Sequence, residues 1–339
     1  MKYEKVRESD IAVLILGYNR PSDMRKLIEA LRPISPSRIY FSVDGPRKHK
    51  EDDHKQVLET QRLLSEINWN CDVKTRFLTS NIGCKMAIST AIDWLFENED
   101  YGIILEDDCL PTPAFFEFTA KRLMEHKDEP QIMHISGSSY FMKEPDDKSS
   151  YYFSRIPNVW GWATWKRAWN NMQLIDSNLD MSLTSVTVHK YFNNKKISKW
   201  FLRYVEEAKS PNSSVWSTSW TLSIINNEGI CIAPLGNLVE NIGFRDSATH
   251  STGTSFRRYE EFKFGEDSNL PSPKTLEVNE ELDRMRFKII EKTDPNEFLS
   301  RKIKLMFLIS TYKILPKFVK QKGKLLLSKH STLSDFFMK

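Results

Sequence analysis

The sequence predicts an α/β fold in which a mostly parallel sheet is flanked by helices. Short apolar runs such as residues 11–16 (IAVLIL) and 102–105 (GIIL) are too brief for helices and have the continuous hydrophobicity of strands buried on both faces. Segments with apolar residues at helical spacing alternate with them, which implies parallel pairing and right-handed crossovers. The third observation is that the run 102–105 stops at Glu106, Asp107 and Asp108, on the edge where the loops of an open α/β sheet line a crevice.

Taken in order, the first strand closes at Gly17, Tyr18, Asn19, Arg20 and Pro21. Ser22 and Asp23 suit the first turn of a helix that repeats Met24, Leu27, Ile28 and Leu31 and ends before Pro33 and Pro36. Residues 38–43 (RIYFSV) form the second strand, stopped by the turn signal Asp44, Gly45, Pro46. Val57, Leu58, Leu63, Leu64 and Ile67 mark an amphipathic helix, and a third strand follows near 73–78. Asn81, Ile82 and Gly83 open a helix through Ile88, Ile92 and Leu95 that leads into the strand with the carboxylates. Pro111, Thr112 and Pro113 start the next helix. Residues 131–136 (QIMHIS), 151–153 and 230–233 read as extended, and a helix is expected over 216–225, ended by Asn227 and Gly229. The polar stretch 170–214 suggests helices and loops over the crevice, and Pro271 and Pro273 mark a linker.

Three adjacent anions raise one another's pKa and need a counter-charge, and a hard divalent ion that takes carboxylate oxygen meets that need. The plainer alternative is an exposed acidic loop ahead of a helix, against which the position after a buried strand weighs. Arg20 could pair a phosphate bidentately. Asp44 by itself reads as a turn aspartate before Gly45, and Asn81 and Gly83 as a helix N-cap with a close-packing glycine. Trp160, Gly161 and Trp162 offer indole faces to a sugar ring with a glycine that permits close backbone approach. For Trp165 and Trp169, packing between lobes is an equal alternative. His134, on an apolar strand, reads as a core histidine, and His250 lies in a Gly/Ser/Thr-rich loop that by itself reads as surface.

The EDD of residues 106–108, the L-P-x-P-x-F-F-E-F of 110–118 and the G-W-x-x-W of 161–165 together resemble the N-acetylglucosaminyltransferase I-like glycosyltransferases of GT-A fold and their bacterial relatives, over about residues 10–250. The resemblance implies that Asp108 ligates a Mn²⁺ or Mg²⁺ ion bridging a diphosphate while Glu106 and Asp107 approach the ribose and sugar. It also implies that Tyr18, Asn19 and Arg20 hold the base and diphosphate, that Asp44 contacts base or ribose, and that Asn81 and Gly83 border the donor pocket. Trp160, Gly161 and Trp162 then serve the acceptor or sugar, and the loop at His250 the diphosphate. The donor it favours is a UDP-sugar. At one point the chain departs from the pattern. Relatives carry an aspartate just after the first tryptophan of a W-x-x-x-W element, and here Ser217 follows Trp216. A serine needs its own activator to act as a base, so Glu206 or Glu207 substitutes, another mechanism operates, or activity has been lost.

With 40% hydrophobic and 28% charged residues over 339, neither disorder nor a membrane-spanning class is favoured. The net charge of +4 is unevenly placed: 298–334 has no Asp or Glu but carries Arg301, Lys302, Lys304, Lys313 and Lys317 among Leu299, Ile303, Met306 and Phe307. That pattern suits an amphipathic helix on an anionic membrane. Cys71, Cys84, Cys109 and Cys231 form no C-x-x-C pair, and no apolar leader or run of roughly 20 apolar residues is present. The expectation is therefore a glycosyltransferase domain at 1–255, with a donor half at 10–140 and an acceptor half at 141–255, a linker at 256–296 and a basic helical region at 297–339. It would be cytoplasmic, held at the inner face of the membrane, without nucleic-acid partners, and would glycosylate a glycan or lipid-linked acceptor in bacterial surface polysaccharide or lipopolysaccharide synthesis. Two rivals stand beside it. A nucleotidyltransferase should carry a Gly-rich loop with Arg and Lys after the first strand, which LGYNRP lacks; an inactive sugar-nucleotide-binding module is made credible by Ser217.

Overall fold

The computed structural model describes residues 7–141, 150–243, 272–273 and 275–293. The chain divides into two compact units, 1–289 and 290–339, of which the second is described only over the end of a helix at 290–293. His250 and the basic region 297–339 lie outside the described residues. Among the described residues no helix is long and apolar enough to cross a membrane.

The first half alternates as its periodicity predicts: β1 (Val13–Gly17), α1 (Pro21–Leu31), β2 (Arg38–Val43), α2 (Glu51–Arg62), β3 (Asp72–Phe77), α3 (Cys84–Asn98) and β4 (Tyr101–Glu106). There follow β5 (Cys109–Pro111), α4 (Pro113–Glu125), β6 (Ile132–Ser136), β7 (Tyr151–Ser154), β8 (Trp162–Trp165) and the single turn α5 (Lys166–Trp169). The hairpin α6 (Met181–Phe192) and α7 (Lys195–Ala208) packs against α8 (Ser217–Asn226), and β9 (Ile230–Pro234), β10 (Val239–Asn241) and α9 (Glu280–Thr293) complete the described chain.

One eight-stranded sheet runs in the order β3-β2-β1-β4-β8-β6-β9-β7. The pairs among β1 to β4 and the pair β6–β9 are parallel; β8 runs antiparallel to both β4 and β6, and β7 antiparallel to β9. β8 has no strand signature in the sequence, because an aromatic cluster broken by small residues shows no period of two. The strand alternation sends Val13 and Ile15 into one core with Met24, Leu27, Ile28, Val57 and Phe115. Ala12, Leu14 and Leu16 enter a second core on the other face with Ile92, Leu95, Trp162 and Trp220. The sheet is thus covered on both sides, as continuous apolar strands require. Because Leu16 is in register with Glu106 and Gly17 with Val43, the C-terminal ends of β1, β2 and β4 finish level.

Two local expectations differ in detail. Past Asn227 at the end of α8, it is Glu228 (φ 50°) and not Gly229 that takes the left-handed conformation. Residues 280–293, within the stretch expected to be a linker, form α9, and its first turns dock on the exit of β7. Ser154 Oγ and the Arg155 backbone N–H donate to the buried Asp283 carboxylate at 2.5 and 2.8 Å, and the buried Arg286 donates to the Ile156 carbonyl at 2.6 Å. Val278 adds a parallel bridge to Phe153, which covers part of the edge that β7 would otherwise leave open. Since Asp283 is buried and accepts from both Ser154 and the Arg155 backbone, Asp283→Ala, which leaves those donors unpaired, is expected to lower unfolding free energy by about 1–3 kcal/mol, read as a shifted urea midpoint at unchanged slope.

Candidate active site

In the order β3-β2-β1-β4 the chain winds outward from β1 in one direction through β2 and β3, then returns to place β4 on the other side of β1. Such a reversal opens a crevice between the loops leaving the two central strands. Both loops here are charged. Arg20 leaves β1, and Glu106, Asp107 and Asp108 leave β4; Arg20 Nη1 reaches Asp108 Oδ2 at 3.0 Å and Asp107 Oδ1 at 3.4 Å. Burial, and then the charge of Asp108, raise the pKa of both Glu106 and Asp107 well above the ordinary carboxylate range, against the opposing pull of Arg20. A backbone hydrogen bond from Tyr18 pulls Asp107 the same way as Arg20. The anions are drawn together at a place where one guanidinium only partly offsets them.

The ribbon of β5 and β10 follows directly. The Asp108 carbonyl accepts from the Ile242 N–H at 2.8 Å, and Asn241 Nδ2 approaches Asp108 Oδ1 at 3.5 Å. A Cβ on Gly243 would lie 2.3 Å from Asp108 Oδ2, so any larger residue there would have to displace that carboxylate. Neither Asn241 nor Gly243 was anticipated as part of the site, since nothing in NLVENIGF points 133 residues back to Asp108. His250 lies shortly beyond Gly243 in sequence, outside the described residues.

On the β2 side two buried aspartates organise the loops. Asp44, 6% exposed, accepts from the N–H of Gly45 (2.8 Å) and of Ile82 (3.1 Å) and from Asn81 Nδ2 (2.8 Å). It therefore latches the β2 exit to the loop whose Gly83 caps α3, and Asn81 and Gly83 are brought to it as expected. Burial raises the Asp44 pKa against these neutral donors. Asp53, in the first turn of α2, accepts from Tyr18 Oη (2.7 Å), Asn19 Nδ2 (2.9 Å) and Arg47 Nε and Nη2 (2.5 and 2.9 Å). The Arg47 guanidinium, followed by the Tyr18 and Asn19 hydrogen bonds, holds Asp53 far below the usual carboxylate range. Sequence reasoning missed Arg47 and Asp53 because the acidic run Glu51 to Asp53 resembles any solvated helix start.

The tryptophans separate into two kinds. Trp160 is partly exposed, edge-on to Tyr140 at 4.9 Å. Gly161 takes φ 59°, and a Cβ there would lie 2.7 Å from Val239; its carbonyl accepts from the Gly137 N–H at 2.8 Å. Trp162, proposed from sequence to meet a sugar, is instead core. It is 0% exposed, stacked on His134 at 4.9 Å and on Trp216 at 5.9 Å, which leaves no ring face for a ligand. Trp220 Nε1 donates to His134 Nδ1 (3.2 Å), which leaves Nε2 to donate to the Asn158 carbonyl (2.9 Å), and burial lowers the His134 pKa to about 3. Trp165 and Trp169 are buried as well, their N–H groups satisfied by the Leu123 carbonyl and Asp93. Glu206 and Glu207 lie exposed on α7, and Ser217 is the first residue of α8. Removing the central indole should be a core lesion: Trp162→Ala is expected to cost about 3–5 kcal/mol by chemical denaturation, and Trp160→Ala, at a partly buried ring packed on the rim of the core, clearly less than that.

A divalent cation fits this donor set in one particular way. Among the described residues no three His, Cys, Asp or Glu side chains converge as a metal cage. A cation would thus be held by one or two of the clustered carboxylates and complete its shell from phosphate and water, the mode usual for Mg²⁺. Desolvated carboxylates with raised pKa values supply the hard oxygen and unbalanced charge that such binding uses.

No family model matches the chain, and no curated protein matches it. Among solved structures, HddC from Yersinia pseudotuberculosis is similar at 16% identity and a TM-score of 0.29, covering 46% of this chain and 77% of its own, and the structure of its complex with GMP-PN aligns equally. The 4-diphosphocytidyl-2C-methyl-D-erythritolsynthase of Anaerococcus prevotii aligns at 8% identity and a TM-score of 0.28, over 65% of this chain and 98% of that one. Likenesses at this level assign neither an activity nor a ligand.

Proposed function

We propose that the chain is a metal-dependent, inverting glycosyltransferase of GT-A type that moves a sugar from a nucleotide-sugar, favoured to be a UDP-sugar, to a glycan or lipid-linked acceptor in bacterial surface polysaccharide or lipopolysaccharide synthesis. The observation that carries the reading is the 3.0 Å contact of Arg20 with Asp108 across the β1/β4 reversal, where an anion-pairing guanidinium meets cation-binding carboxylates at the point α/β sheets use for nucleotides. The motif resemblance over 106–118 and 161–165 supplies the donor class.

In this reading Asp108, with Asp107 or Glu106 beside it, holds Mn²⁺ or Mg²⁺, which when bound offsets the charge of the departing diphosphate. Arg20 exchanges its carboxylate contacts for phosphate oxygens and orients the diphosphate along the β1 loop. Asp44 acts on the donor through the loop it latches, keeping Asn81 and Gly83 in place beside the crevice. Trp160 presents a partly exposed indole for a sugar or acceptor ring, and Gly161 fixes the turn that carries it. No residue is assigned as the base that takes the acceptor proton. If Glu206 or Glu207 serves, its alanine variant loses roughly 10²-fold in turnover with donor binding intact.

Thermal shift of the full chain against UDP-, GDP-, CMP- and TDP-sugars with and without Mn²⁺ tests the reading. One sugar nucleotide should stabilise the wild type only with metal, and Asp108→Asn should abolish that increment while its ligand-free melting temperature stays unchanged. Equal metal-dependent stabilisation of the variant would remove Asp108 as a ligand, and absence of any nucleotide effect in the wild type would remove the donor class. For the basic region from residue 298, sedimentation with anionic liposomes at low salt should bring down the full chain but not a version ending at Asn296, with release at high salt. Equal sedimentation of the shortened chain would exclude that region as the membrane contact.

A further inference from the structure

The two oxygens of the Asp108 carboxylate have partners of different kinds. Oδ2 accepts from Arg20 Nη1 at 3.0 Å, whereas Oδ1 lies 3.5 Å from both the Cys109 thiol and Asn241 Nδ2. One oxygen thus faces a cation and the other faces neutral donors. Asn241 stands directly opposite Cys109 in the register of β10 and β5, and its own Oδ1 accepts from the Gly243 N–H at 2.8 Å. With that oxygen taken, the amide turns its N–H₂ end to Asp108. The strand that carries it is pinned at its start: the Leu238 carbonyl accepts from the N–H and the hydroxyl of Thr112, each at 3.0 Å, and the Leu238 N–H donates to the Gly137 carbonyl at 2.9 Å. At its end the Ile242 N–H donates to the Asp108 carbonyl at 2.8 Å. Asn241 therefore reaches Asp108 from a mount fixed on both sides of it.

We propose that Asn241 is a positioning residue for Asp108, turning its Oδ1 toward the divalent cation and keeping it there when Arg20 moves to phosphate. The inference rests on the metal-dependent reading above. In that reading Arg20 gives up its carboxylate contacts for phosphate oxygens, so the guanidinium that steadies Asp108 leaves at the moment when a cation needs the carboxylate in one orientation. The contacts from β10 stay. They are also of the right kind, because a carboxylate oxygen has room for a neutral N–H donor and a cation together, whereas a guanidinium and a divalent ion on the same oxygen repel. Carboxylates that ligate metals are commonly held by hydrogen bonds of this sort. At 3.5 Å the amide is a weak donor while Arg20 draws the carboxylate toward the β1 loop; once Oδ2 is released, Oδ1 settles onto it. Asn241 itself touches neither cation nor diphosphate and acts only through Asp108.

Titration of the full chain with Mn²⁺ tests this, with free Mn²⁺ read by electron paramagnetic resonance at saturating UDP, GDP, CDP or dTDP, whichever stabilises the wild type most. Asn241→Ala, and Asn241→Leu, which fills similar space without an N–H, are each expected to weaken Mn²⁺ about 10- to 100-fold while the ligand-free melting temperature of the Leu variant stays at the wild-type value. Wild-type Mn²⁺ affinity in both variants, with Asp108→Asn losing it, would show that Asp108 needs no hold from β10. Recovery in the Leu variant of what the Ala variant loses would make Asn241 a packing residue, and a melting temperature that falls in both variants in step with Mn²⁺ affinity would make it a support of the fold. Each of these three outcomes overturns the inference while the metal reading stands. Failure of the wild type to take up Mn²⁺ with any of the four nucleotides would overturn both.

Discussion

The candidate site depends on charge concentrated at the end of one buried strand. Glu106, Asp107 and Asp108 leave β4 where the apolar layer ends, so desolvation and mutual repulsion act on them together. Other parts of the crevice answer that cost. Arg20 crosses from the β1 loop, the Tyr18 backbone donates to Asp107, and the β10 ribbon brings Asn241 and Gly243 over Asp108. A guanidinium offset of this kind is exchangeable, because phosphate oxygens can replace carboxylate oxygens on the same fork. The compensation is thus suited both to holding the fold without ligand and to being released when a ligand with its own charge arrives.

Asp44 and Asp53 are both little exposed, yet desolvation dominates at the first and direct hydrogen bonds, that of Arg47 foremost, dominate at the second. The two are similarly enclosed, at 6% and 3% exposure, and each accepts several hydrogen bonds. Asp44 has only neutral donors in contact, and burial lifts its pKa; Asp53 has Arg47, and its pKa falls. Neutral donors suffice to latch a loop. A charge-assisted fork is stronger and fixes orientation as well, which is why Asp53 can hold a tyrosine ring and a guanidinium in one arrangement.

The aromatic belt divides along the same boundary between core and crevice. Trp162, Trp169, Trp216 and Trp220 interlock around His134 beneath the sheet, while the turn at Trp160 and Gly161 leaves its indole partly exposed. The antiparallel β8 follows this turn and wedges between β4 and β6. Packing of the tryptophans thereby fixes the wall beside the carboxylates without any of the buried rings meeting a ligand.

Period and punctuation alone determined the run from β1 to β4, because continuous apolar strands and helical stripes leave a local signature, and they placed the carboxylates at a strand end. They also brought Tyr18, Asn19, Arg20, Asp44, Asn81 and Gly83 to that edge, since each lies within a few residues of a strand or helix terminus that the pattern defines. Tertiary structure decided what those termini face. The roles of Asp53, Arg47, Asn241 and Gly243 come from contacts between segments 6 to 133 residues apart, for which neither composition nor spacing leaves a trace. The same holds for Trp162. Burial of an indole depends on which strand lies beside it, and the insertion of β8 against β4, with α8 stacked beneath, is set by the packing of the whole sheet and not by the residues that neighbour the tryptophan in sequence.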